Sequence, residues 1–147
     1  MSRIKNLLAG LAGAVALNLL HETARRQTSN APRIDILGEN ALQKALSYIG
    51  EHINDHDTLY KATLAGDIVS NTLYYSLIGS GKKKYLWPKA IFMGLSAGIA
   101  AVKLPEPMGL NPKPVAKNEQ VAALTVGYYL FGALVTALVL TKFNKSS

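Results

Sequence analysis

Residues 18–25 read Asn-Leu-Leu-His-Glu-Thr-Ala-Arg and close the first apolar run of the chain. On a helix Asn18, His21, Glu22 and Arg25 fall three and four apart, so they form one polar stripe. The turns before them are Gly, Ala, Val and Leu, and the stripe therefore sits at the end of a segment with little else to solvate it. It needs partners from elsewhere in the chain.

Working outward, the charges are segregated. The protein has 147 residues, 16 Lys and Arg, nine Asp and Glu, and a formal net charge of +7. Yet Asn6 to Leu20 and Gln120 to Thr141 carry no charge, Ala62 to Gly81 carries Asp67 alone, and Tyr85 to Val102 carries Lys89 alone. A helix crosses a hydrocarbon layer with about 20 mainly apolar residues. A hydrophobic share of 49% and a mean hydropathy of +0.14 suit either a soluble or a membrane chain. A soluble bundle, however, needs a charged face on each helix, and Gln120 to Thr141 has none.

The spacing predicts an all-α polytopic membrane protein: four transmembrane helices at roughly 5–25, 59–80, 85–103 and 119–142, with an amphipathic surface helix in the first long loop. The whole chain reads as a single integral membrane domain. Arg3 and Lys5 ahead of an apolar core also describe a signal peptide, but no small-x-small cleavage site precedes His21, so the segment is expected to stay. Gly10 and Ala14, like Gly13 and Leu17, let another helix approach closely.

The surface helix is expected over roughly 39–54, because Ala41, Leu42, Ala45, Leu46, Ile49 and Ile53 recur at helical spacing. At its end His52 and His56 are four apart, weak candidates for a metal site completed by Asp55 or Asp57. The zinc-protease pattern is absent, since no Glu follows the first His. The ordinary reading is a solvated helix end with Asp57 or Thr58 capping the next helix.

In the second crossing Asp67 lies about eight residues in, hence ~12 Å along the axis, with Asn71 one turn further and one of Tyr74 and Tyr75 able to continue that face. An acid at such depth costs about 2.5 to 3.5 kcal/mol and so faces the bundle interior with a partner. Lys82 to Lys84 form a basic turn, Tyr85 and Trp87 an interfacial belt, and Lys89 a snorkelling cation. Gly94 and Gly98 form a small-residue pair, for a neighbouring helix or for a second copy or partner subunit. Pro105, Pro107, Pro112 and Pro114 keep the second long connection extended. Gly10 to Ala16 and Gly94 to Ala100 echo one another, as a duplicated hairpin would.

Four crossings put the end of the first, the start of the second, the end of the third and the start of the fourth at one membrane face. Asn18, His21, Glu22, Arg25, Asp67 and Asn71 then share one half of the bilayer, and consecutive crossings usually pack as neighbours. His21, Glu22 and Asp67 are the candidate catalytic groups, since His titrates near neutrality and buried acids shift upward. Asn18, Arg25, Asn71 and Tyr74 are the candidate ligand-binding groups, with Arg25 suited to a bidentate phosphate contact. His21 and Glu22 point about 100° apart, which limits how both serve one narrow site.

Three functions are compatible with this set: a site that binds or processes a phosphate-bearing lipid, a small proton-coupled transporter or channel, and an accessory subunit in which the polar groups hold helices together. Membrane lipids are the expected partners. No basic face with interleaved aromatics suggests nucleic acid, Cys is absent, and no cofactor is specified. Basic residues divide evenly between the two faces; the short clusters beside helix ends favour a cell-membrane protein with cytoplasmic termini.

Overall fold

The computed structural model describes residues 2–146, is 80% helical and has no strands among them. Helix α1 (Arg3–Gln27) is capped by Ser2, whose hydroxyl accepts from the Lys5 N–H at 3.1 Å, and ends on Arg25 and Arg26, which complement its dipole. Helix α2 is Ile34–Ser47 and α3 is His56–Ser76, followed by a 3₁₀ turn at Leu77–Gly79 and a second at Lys83–Tyr85. Helix α4 is Leu86–Lys103, α5 the single turn Lys113–Ala116, and α6 Glu119–Ser146.

Two boundaries differ from the sequence expectation. Helix α2 starts five residues before 39 and stops at Ser47, so Ile49 and Ile53 lie outside it. Gly50 at φ 75° turns the chain out of the helix, and a periodic apolar pattern does not reveal that stop. Asp55, not Asp57 or Thr58, caps α3, accepting from the Thr58 N–H at 3.0 Å and its hydroxyl at 2.6 Å.

Helix α3 packs on α1, α1 on α6, and α6 on α4. Glycines set these contacts. A Cβ on Gly10 would collide with the backbone of Thr72 and Ser76 in α3, and one on Gly98 would lie 2.5 Å from Val126 Cα in α6. Gly94 faces Leu130 and Ala133 of the same helix, so the Gly94–Gly98 face is covered by α6 within this chain. Tyr75 is fully buried beside Gly132, and its hydroxyl donates to Tyr129 O at 2.8 Å. The turn between α3 and α4 lies against the start of α1, where Asn6 meets Gly79. Lys89 reaches back to Ser80, donating to its carbonyl and hydroxyl oxygens.

Three helical stretches are long and apolar enough to cross a membrane: Arg3–Gln27, Lys83–Lys103 and Glu119–Lys145. Helix α3, expected as a fourth, falls short because Asp67, Asn71 and several hydroxyl side chains dilute its apolarity. A belt of large apolar side chains faces outward on all four long helices, among them Leu11 and Leu19 on α1, Leu73 on α3, Phe92 on α4 at 71% exposure, and Phe131 on α6. Such outward apolar side chains are compatible with a membrane setting.

Candidate functional site

The buried face of α1 runs Gly10, Ala14, Leu17, His21, so the imidazole continues a stripe otherwise made of small and apolar residues. His21 is 4% exposed. Helix α2 crosses over it and brings Asp35, whose Oδ1 lies 3.2 Å from His21 Nε2. On the other edge of the ring, Glu22 Oε1 is 4.0 Å from Nδ1. The histidine is thus held between two carboxylates from different helices.

Each carboxylate has its own cation on the outside. Arg33 grips Asp35 with both arms of its fork, Nε to Oδ1 at 3.0 Å and Nη2 to Oδ2 at 2.8 Å. Glu22 accepts from Arg25 Nη2 at 3.0 Å and from the Tyr60 hydroxyl at 2.6 Å, while the Arg25 guanidinium also lies over the Tyr60 ring. Burial pushes the Asp35 carboxyl up, but the His21 imidazole and the Arg33 guanidinium outweigh it and hold Asp35 well below the usual carboxylate range. The Arg33 fork is correspondingly stabilised as a cation by its bonds to Asp35.

Inside this network is a cavity of about 20 Å³ lined by Asn18, His21, Glu22, Asp35, Thr63, Asp67 and Asn71, among others. Five of the seven sequence candidates therefore line one space. Arg25 does not, because its pairing with Glu22 turns it toward an outer depression of about 370 Å³ that also takes in Arg33, Asp35, His56 and Tyr60. Tyr74 is also elsewhere: its hydroxyl donates to Met93 O of α4 at 2.9 Å, which removes it from the Asp67 and Asn71 face.

Two buried polar atoms at this cavity have no hydrogen-bond partner, His21 Nε2 and Thr63 Oγ1. The Asp35 contact is at ion-pair distance without hydrogen-bond geometry. Such orphaned atoms are rare in folded proteins and mark a place where something polar sits.

Asp67 also faces a second, larger space. This chamber of about 300 Å³ is walled by Leu37 and Ala41 of α2, Ala97 and Ala101 of α4, and Met108 and Leu110 of the loop, with Asp67 and Tyr129 supplying its polar atoms. Gly38 permits the overlap of α2 and α3 here, since a Cβ on it would lie 2.7 Å from Thr63 Cγ2 and 3.4 Å from Asp67 Oδ2. Asp67 therefore stands at the seam between a small polar cavity and a roomy apolar one.

The histidine pair at 52 and 56 does not share a helical turn. Residues 51–55 lie outside any helix, and His56 opens α3 with Nε2 3.6 Å from Glu39 Oε2. Among the described residues no group of three His, Cys, Asp or Glu side chains is placed to hold a metal ion.

Sequence reasoning missed Asp35, Tyr60 and Thr63. Asp35 carried a usable signal, an acid shortly after Pro32, as the first turn of a helix prefers. Tyr60 and Thr63 sit three and four residues from the covered positions of α3, but nothing in their spacing distinguishes them from ordinary packing residues. No family model, curated protein or solved structure matches this chain.

Proposed function

We propose that this chain is a four-crossing membrane protein that binds a lipid-like amphiphile, with the hydrocarbon portion in the chamber and the polar end at Asp67 beside His21. The observation that carries the reading is the position of Asp67, shared by an apolar space of about 300 Å³ and a polar one of about 20 Å³. An apolar pocket with a few convergent polar groups is the usual form of a small-molecule site. The outward Leu, Ile and Phe side chains support a lipid setting for such a chamber.

Helix α3 is taken as the fourth crossing because it packs along α1 and turns Asp67 inward, where an intramembrane acid is tolerated. The termini and the Lys82 to Lys84 turn then share one face, which the positive-inside rule makes cytoplasmic.

The polar end is better matched by an uncharged hydrogen-bonding group than by a phosphate. Glu22, Asp35 and Asp67 all line the inner cavity, and the two arginines that would answer a phosphate are engaged by Glu22 and Asp35. These features support capture of a ligand.

Native mass spectrometry of the detergent-purified protein tests the reading. The wild type should carry an extractable lipid, and Ala101→Trp, which fills the chamber, should lose it while remaining folded. A wild type free of lipid, or a Trp variant that retains it, refutes the assignment.

A further inference from the structure

Three spaces lie in series at one end of the bundle. The outer depression and the inner cavity share Asp35 and Tyr60, and the inner cavity and the chamber share Asp67. The His21 ring lines the inner cavity, with Nε2 3.2 Å from Asp35 and Nδ1 4.0 Å from Glu22, and Glu22 is reached from the outer depression through Tyr60, which lines both spaces and donates to Glu22 Oε1.

A buried water needs a cavity of about 10 to 15 Å³ or more and two to four polar partners. The inner cavity offers about 20 Å³, and two of its atoms, His21 Nε2 and Thr63 Oγ1, are buried and unpartnered, their residues 4% and 5% exposed. A phosphate or an acyl chain does not fit there. One water does, and Asp67 and Asn71 lie around it as further partners.

We infer that this cavity holds one ordered water and that His21, the water and Asp67 form a proton path from the outer depression to the chamber. The groups facing His21 are Glu22 on its own helix, Asp35 from α2 with Arg33 behind it, and Tyr60 and Asp67 from α3. A proton arriving from the Glu22 side binds Nδ1 of the neutral ring. The resulting imidazolium releases its Nε2 proton to the water, and the water passes one of its protons to the Asp67 carboxylate. The ring is left neutral with the proton on Nδ1, the water is restored, and the Asp67 carboxyl is neutral. Asp35 stays an anion throughout and orients the ring; Thr63 positions the water.

This goes beyond lipid capture and stands or falls apart from it. The test is infrared spectroscopy of the full-length protein in nanodiscs after release of protons from a photolabile donor. In the wild type a carboxyl C=O band should rise, and Asp67→Asn should remove it. His21→Gln should slow the rise by roughly 10²-fold, the low end of what a positioned proton carrier contributes. Thr63→Val keeps the side-chain shape and removes one anchor of the water, and should slow the rise by about tenfold with the same final amplitude; a merely structural role for Thr63 would not change rate at constant amplitude. Equal rates in wild type, His21→Gln and Thr63→Val overturn the path, as does a band that survives Asp67→Asn. Should His21→Gln fail to fold, the Thr63→Val rate decides alone. Retention of bound lipid in Thr63→Val leaves the chamber assignment intact whichever way its rate falls.

Discussion

The Tyr60 hydroxyl of α3 donates to Glu22 Oε1 of α1 at 2.6 Å, joining two helices whose residues here lie 38 positions apart in sequence. A hydrogen bond to a charged acceptor is worth about 1.5 to 3 kcal/mol, and this one is half-buried. Tyr60→Phe should therefore cost about 1 to 2 kcal/mol, read as a lower thermal midpoint in detergent. In the Glu22→Gln background the same substitution should cost markedly less, because the ion that strengthens the bond is gone.

Stability should respond to acid through Asp35. Its carboxyl is held below its ordinary value of 3.8 in the folded protein, so its contribution is complete above that pH and is lost as pH falls through the lowered folded value. The difference in thermal midpoint between wild type and Asp35→Asn should stay level from pH 7 to pH ~4 and narrow below it. A difference that already closes between pH 7 and pH 5 would show that Asp35 is not held this way.

Two glycines should respond oppositely to the same change. Gly98→Ala sets a methyl against the backbone of Val126 and should cost about 1 to 3 kcal/mol by overpacking. Gly127→Ala meets open space, and should be neutral or stabilise by up to about 1 kcal/mol through helix propensity. Thermal unfolding of the two variants side by side checks both signs.

Gly38→Leu should pry α2 away from Thr63 and Asp67 and expose His21. In the wild type diethyl pyrocarbonate should label the exposed His52 and His56 and spare His21. Peptide mapping of the Leu variant should find His21 labelled as well. Protection that persists would mean that α2 adapts without leaving the ring.

Much of this arrangement was legible because it is local to neighbouring helices. The polar stripe of α1 and the acid of α3 lie on long helices that pack against each other, and runs poor in charge mark where the long helices lie. The meeting of Asp35 with His21 was not legible, because it depends on how a loop helix folds back over α1, which no periodicity encodes. Arg25 pairs with Glu22 three residues away, as the His-Glu-x-x-Arg spacing allows, and so does not line the inner cavity. Tyr74 keeps the expected helical face near its Cα but is long enough for its hydroxyl to reach the α4 carbonyl. The termination of α2 turned on Gly50, a residue whose backbone angle outweighed the apolar positions after it.

The cover over His21 is fastened to the far end of the chain: the Arg33 N–H donates to Pro114 O at 2.7 Å, and Lys117 Nζ donates to Ser29 O at 2.9 Å. During synthesis the first two long helices emerge well before these residues do. The latch that holds α2 over the histidine is therefore made only after residues 114 and 117 have been synthesised, later than α1 and α3 become free to meet.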